Sequence, residues 1–219
     1  MSTSSVKIAA ALLDADFGRL AEEISAITDA GADSLHIDVM DGQFAPNITV
    51  GPPIVAQLRS YSTIPLDVHL MIRTPEAFVR DFAEAGADII TVHAEAAAHP
   101  LRTLDMIRDL GCHPGIALSP GTSEDALEFM AEHADLALVL GVNPRFGEQP
   151  FITDMLRKIQ NVRAMMGNRD VQVEGGVNEH TAAEILAAGA NVLVAGRTIF
   201  GHTSYLEAIE SLRGAAENA

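Results

Sequence analysis

The strongest constraint in this 219-residue chain is a strict alternation of two kinds of segment. Short apolar runs, read as strands, fall at 6–13, 34–39, 65–71, 88–93, 113–118, 135–142, 171–174 and 191–195. Amphipathic stretches with apolar residues three and four apart, read as helices, fall at 17–30, 53–61, 75–85, 100–110, 123–133, 152–166, 179–188 and 205–215. Each strand–helix unit has about 27 residues, close to the least that a strand, a helix and two turns require. The strand runs are continuously apolar, as in a sheet covered on both faces. The string Ala-Gly-Ala-Asp/Asn ends a helix and opens a strand at 30–33, 85–88 and 188–191, with its glycine suited to a left-handed C-cap. These features predict an α/β fold, a single (β/α)8 barrel over 1–219. An open doubly wound sheet is the second choice, weakened because no G-x-G-x-x-G follows the first strand.

Composition narrows the function classes. The formal net charge of −16 repels phosphate backbones and anionic lipid, so no nucleic acid and no membrane is expected as a partner. A single cysteine, Cys112, leaves no internal disulfide and no cysteine-based zinc cluster, which fits a reduced, cytoplasmic setting. No run approaches the ~20 apolar residues of a membrane span, and the polar start of the chain does not read as a leader.

In a barrel of this kind, chemistry gathers at the C-terminal ends of the strands. The second strand ends His36-Ile37-Asp38-Val39-Met40-Asp41-Gly42, the third Asp67-Val68-His69-Leu70-Met71, the fourth His93-Ala94-Glu95, and the seventh Glu174-Gly175-Gly176. His36 and Asp38 are two apart on a strand and share a face. With His69 and Glu174 they would bring two imidazoles and two carboxylates to the barrel mouth, a donor set suited to one divalent ion: zinc, iron(II), manganese or cobalt. A lone histidine or aspartate at a strand end is more often a packed residue or a cap, and Met40 and Met71 beside buried strands are ordinary packing residues. Ligand-type residues on three strands, all on the expected active face, favour a metal or acid/base site.

These residues resemble a known family. His36-Ile-Asp-Val-Met-Asp-Gly-Gln-Phe-Ala-Pro-Asn47 is similar to the HxDVMDGxFxPN signature of ribulose-phosphate 3-epimerases. Asp67-Val-His-Leu-Met71 resembles that family's DVHLM, and His93-Ala-Glu95 its HxE segment. Asn143-Pro-Arg-Phe-Gly-Glu-Gln149 resembles its NPGFGGQ loop, Glu174-Gly-Gly176 its DGG, and 195–200 its AGSxIF. The resemblance implies a TIM barrel of the ribulose-phosphate-binding type, an isomerase that inverts C3 of D-ribulose 5-phosphate to give D-xylulose 5-phosphate through a cis-enediolate. It implies that His36, Asp38, His69 and Glu174 ligate the metal and that Asp38 and Glu174 are the acid/base pair. It places Gly147, Gly175, Gly176 and Gly196 around the phosphate of a small-molecule ketose phosphate, with His69 also beside the substrate. Met40 and Met71 match two of three methionines expected to cap the site, and Leu140 stands where the third is expected. A homo-oligomer is expected from the same resemblance.

The departures fall at ligand-facing positions. Ala11 and Ser119 stand at a family serine and asparagine, and Glu174 replaces aspartate with a side chain one methylene longer. Arg145 and Glu148 replace two loop glycines, and Arg197 replaces a serine. Either Arg197, with Arg145, binds the anion by charge-assisted bonds, or Glu148 pairs with one arginine and the pocket takes a different terminal group. The alternatives are a 3-epimerase of another ketose or ketose phosphate, a lyase-type barrel chemistry, and a non-catalytic sugar-phosphate binder. The D-x-K-x-x-D pattern of the lyases is missing its lysine at 36–41. The segment 44–48, just after the second strand, is positioned for a lid.

Overall fold

The computed structural model describes residues 6–144 and 149–218. Among the described residues, parallel strands close a barrel in chain order: β1 (Lys7–Ala11), β2 (Ser34–Met40), β3 (Leu66–Met71), β4 (Ile89–His93), β5 (His113–Leu118), β6 (Leu136–Leu140), β7 (Asp170–Glu174) and β8 (Val192–Ala195). The helices that cover them are α1 (Leu20–Asp29), α2 (Pro52–Arg59), α3 (Val79–Glu84), α4 (Pro100–Asp109), α5 (Met155–Met166), α6 (Ala182–Ala187), the single turn α7 (Arg197–Phe200) and α8 (Tyr205–Gly214). None of these helices is long and apolar enough to cross a membrane.

The expected helix at 123–133 is a correction. The structure has a 3-10 helix over Glu124–Leu127 followed by turns. Its backbone closes mostly three residues back, at Ala126, Glu128, Met130 and His133. Leu127, Met130 and Ala131 still reach the core, so the apolar spacing marks the buried face although the segment is a short 3-10 helix and turns rather than an α-helix. The 75–85 helix is likewise split, into a 3-10 turn at Pro75–Ala77 and α3.

Strand alternation divides the side chains into two layers. Leu35, Ile37 and Val39 of β2, with Leu66, Val68 and Leu70 of β3, join the main core between sheet and helices. The alternate residues face inward, where parallel register sets His36 beside Asp67, Asp38 beside His69 and Met40 beside Met71. The next strand places Thr91 beside His69, and Gly115 follows beside Thr91. A Cβ at Gly115 would stand 2.2 Å from Thr91 Oγ1, so glycine makes room for this polar interior layer.

The N-terminal rim is held by a repeated device. Asp33, Asp88 and Asn191, the last residues of the recurring string, accept hydrogen bonds from the backbone N–H of Ile8, Leu66 and Val171 at 2.7, 2.8 and 2.8 Å. An arginine grips each from outside: Arg213 on Asp33, Arg59 on Asp88 and Arg163 on Asn191, all at 2.7 Å. Each ties the start of one strand to the start of a neighbour, leaving the opposite rim free for chemistry.

Candidate metal centre and active site

The inward residues at the C-terminal ends of β2, β3 and β7 converge. His36, Asp38, His69 and Glu174 each offer a donor atom, and these atoms lie within 4.8 Å of one another. His36 Nε2 is 3.3 Å from Asp38 Oδ1 and 3.3 Å from Glu174 Oε2. His69 Nδ1 is 3.2 Å from Asp38 Oδ1 and 2.9 Å from Glu174 Oε2. Both imidazoles are fully buried. His36 Nε2 and Glu174 Oε2 nevertheless make no hydrogen bond with acceptable geometry. Buried polar atoms normally find a partner, so these two mark a group of donors that could hold a metal ion.

The electrostatics follow from this crowding. Burial alone would lower the pKa of His36, but Asp67 and Asp38 raise it well above the usual imidazole value. Burial acts the same way on His69, which Glu174 and Asp38 raise to about 9. Burial would raise Asp38, but the charge of His36 and the hydrogen bond and charge of His69 hold it well below the usual carboxylate range. Glu174 is also lowered, its burial and the charge of Asp38 being outweighed by the two imidazoles.

Each ring is held from behind. His36 Nδ1 donates to Asp67 Oδ2 at 2.8 Å, and Gln172 Nε2 donates to the same oxygen at 2.6 Å. His69 Nε2 lies 2.9 Å from His93 Nε2, and His93 Nδ1 lies 3.0 Å from Glu95 Oε1. Burial would raise Glu95, but the hydrogen bond and charge of His93, with the Ser119 side chain, lower it to about 2. Asp67 and His93 stand in motifs legible in the sequence, but their roles depend on which ring nitrogen faces which neighbour.

A cavity opens beside the cluster. Asp38, Met40 and Glu174 form one part of its wall, and Gly175, Gly176, Gly196 and Arg197 another. Gly176 needs to be glycine, because its φ is +71° and a Cβ would stand 2.6 Å from the backbone nitrogen of Phe151. Arg145 and Gly147, expected at the same end, lie outside the described residues, as does Glu148. Met40 and Met71 pack together with Ala45, flanked by Leu13 and Phe44. Leu140 belongs to a separate interior cluster with Ala117, Leu136 and Leu138. Segment 41–48 folds back through an Asp41–Ile48 bridge, and the Phe44 ring sits 4.5 Å from that of His93.

Asp14 also lines the cavity and was not anticipated. It follows β1 within a 3-10 turn, where no periodicity sets its direction; only its place at the C-terminal end of a barrel strand marked it. A Cβ on Gly196 would be 2.2 Å from Asp14 Oδ2, and Arg197 Nη2 is 4.0 Å from Asp14 Oδ1.

The model of the Ribulose-phosphate 3 epimerase family matches residues 7–200. The chain belongs to the ribulose-phosphate 3-epimerase family. It is 46% identical to ribulose-phosphate 3-epimerase of Bacillus subtilis (strain 168), covering 95% of this chain and 99% of that one. It is 48% identical to the enzyme of that name from Synechocystis sp., covering 96% and 94%, and 42% identical to that of Escherichia coli (strain K12), covering 94% of each. This member of the epimerase family is thus an isomerase acting on a carbohydrate. Its fold is shared more widely: KGPDC from Streptococcus mutans superposes with a TM-score of 0.73 at 16% identity, covering 98% of this chain and 99% of that one. A tryptophan synthase α-subunit mutant from Pyrococcus furiosus does so with a TM-score of 0.64 at 16%, covering 97% and 96%.

Proposed function

We propose that the chain interconverts D-ribulose 5-phosphate and D-xylulose 5-phosphate by moving the C3 proton between two carboxylates, with one divalent ion held by His36, Asp38, His69 and Glu174. The donor set fits such an ion. It has two nitrogens and two oxygens, and two of the four donor atoms are buried without a hydrogen bond. A bound ion supplies a Lewis acid that polarises the ketose carbonyl and steadies the charge of the enediolate.

The chain's own residues do the rest. Inversion needs one group to remove the C3 proton and another to return a proton on the other face. Asp38 and Glu174 come from different strands and line the same cavity. Asp38, kept ionised by the imidazoles, accepts the C3 proton from one epimer, and Glu174, which must first take up a proton from solvent because its pKa is also lowered, then delivers that proton to the other face of the enediolate. One turnover leaves the pair set for the reverse reaction, and exchange with solvent resets it. Met40, Met71 and Ala45 form an apolar cover that offers no competing proton. At the far end, the turns of Gly175, Gly176 and Gly196 leave room for the substrate phosphate, and Arg197 supplies positive charge.

The convergence of four donors at the mouth, two of them carboxylates on one cavity, carries this reading. Turnover of D-ribulose 5-phosphate in deuterated water tests it. The wild type should incorporate deuterium at C3, and Asp38→Asn and Glu174→Gln should each lose about 10²–10⁴ in kcat. Undiminished turnover in either variant would refute the two-carboxylate assignment.

Asp14 favours a second reading. It brings a carboxylate to the end of the cavity where the anion is expected. A ketose with a different terminal group would use Arg197 and Asp14 together, as donor and acceptor. A ketose panel with and without terminal phosphate, ranked by kcat/KM, separates the two readings.

A further inference from the structure

We propose that His93 and Glu95 are positioning residues: they keep the proton of His69 on Nε2 and so leave His69 Nδ1 open as a donor to the bound cation. The inference rests on the metal-binding reading above, and it assigns a role to the His93-Ala-Glu95 motif, which the mechanism leaves unused.

The hydrogen bonds set the direction of the relay. Ionised Glu95 has no proton to give, and its Oε1 already accepts from the backbone N–H of Ser119 at 3.1 Å. It faces His93 Nδ1 at 3.0 Å, so His93 carries its proton on Nδ1. A neutral imidazole has one such proton, and His93 Nε2 is therefore a lone pair. His69 Nε2 is 2.9 Å away, and two ring nitrogens this close require one hydrogen between them. That hydrogen comes from His69. Its Nδ1, which faces Asp38 and Glu174, is then the nitrogen that can take a cation. With the opposite arrangement, His93 would donate to His69 Nε2, and the His69 proton would sit on Nδ1 and block the site.

The fold explains why the relay has two rings. His36 has Asp67 beside it in register on β3, and that carboxylate reaches Nδ1 directly. His69 has Thr91 beside it on β4, whose Oγ1 makes no hydrogen bond to the ring. His93 stands two residues further along β4, on the same face, and spans the gap. Its own register partner on β5 is Ala117, small enough to leave room for the imidazole. The His69 and His93 ring centroids are 5.0 Å apart with planes 26° from parallel, as an edge-to-edge N–H···N bond requires, and the Phe44 ring lies 4.5 Å from that of His93.

Two measurements test this, and neither is turnover. Long-range proton–nitrogen NMR of zinc-loaded wild-type protein with labelled histidine reads the tautomers. His93 should be protonated on Nδ1 alone and His69 on Nε2 alone; a proton on His93 Nε2 overturns the proposal. Competition of zinc against a chelator then reads affinity in His93→Leu and His93→Gln. The leucine variant should bind zinc about 10–100-fold more weakly, the usual cost of losing such a supporting contact. The glutamine, whose amide oxygen can accept from His69 Nε2, should recover most of the loss. Equal affinities in wild type, leucine and glutamine variants overturn the proposal, and the NMR result stands if His93→Leu does not fold. Wild type that binds no zinc removes the metal-binding reading and the relay together, whereas tight binding with the other His93 tautomer removes the relay alone.

Discussion

Arg197 and Asp14 show how two residues on one cavity wall can set what a shared scaffold accepts. Arg197 opens the turn after β8 and Asp14 follows the neighbouring strand β1, and their charged ends stand 4.0 Å apart on the cavity wall. A guanidinium bonded to phosphate contributes about 1.5–3 kcal/mol, so Arg197→Ala should raise KM for D-ribulose 5-phosphate about 10–100-fold. Its kcat should change far less, because Arg197 is not one of the carboxylates proposed to move the proton. Steady-state kinetics checks both numbers, and an unchanged KM would remove Arg197 from the anion site. Asp14→Ser should act in the opposite direction and lower KM, because it withdraws a negative charge from beside the phosphate. At this scale the sequence is partly legible. His36, Asp38, His69 and Glu174 could be read because strand alternation fixes which way a side chain points. Asp14 could not, since a 3-10 turn carries no such period. Asp67, His93 and Glu95 were visible as residues but not as partners, because a relay depends on ring orientation.

At the scale of elements, the recurring Ala-Gly-Ala-Asp/Asn string does more than end a helix. Its last residue ties two strand starts together, with an arginine across it. Removing one clamp should destabilise the barrel and leave the chemistry untouched, because the clamps lie on the rim opposite the site. Asp88→Ala deletes the acceptor for both Leu66 N–H and Arg59. The site is half exposed, so the loss should be about 1–2 kcal/mol, or a Tm lower by about 2–8 °C. Thermal melting and kcat measured on the same preparation check this; a kcat lowered along with Tm would show that the two rims are coupled. The string itself was legible as a helix stop and strand start, because a glycine with positive φ and a following apolar run are local signals; Gly31, Gly86 and Gly189 all have φ between +86° and +111°. The clamp was not, since Arg213 lies 180 residues from Asp33. The 123–133 segment marks the same boundary: apolar spacing located its buried face, but not the turn type that the path from β5 to β6 imposes.

For the whole molecule, the donors draw distant parts of the barrel together. His36 and Asp38 stand on β2 and His69 on β3, while Glu174 stands on β7, reached only through β1 and β8 or through β4 to β6. A shared ion would brace the mouth across that gap, as the arginine clamps brace the other rim, and binding it would compete with protons. Between Asp38 and Glu174, His69 holds a proton up to about pH 9, and His36 is raised in the same direction. A group whose pKa rises on folding adds stability below its unfolded value, and that stability is lost as pH climbs through the folded value. Protein stripped of metal should therefore lose stability between about pH 6.5 and about pH 9. Added zinc must displace those protons, so its affinity and its stabilising effect should grow over the same interval. At about 100 times Kd, an ion adds about 2.7 kcal/mol, which corresponds to a Tm higher by about 5–10 °C for a chain of this size. Melting curves of stripped and zinc-loaded protein at both ends of the pH interval measure the crossing. The loaded and stripped curves should diverge as pH rises, and calorimetry should record proton release on zinc binding at neutral pH. Curves that stay parallel but offset would mean that the imidazoles are not the groups exchanging protons for metal, and curves that coincide at every pH would mean that the cluster is a buried ion-pair network rather than a cation site.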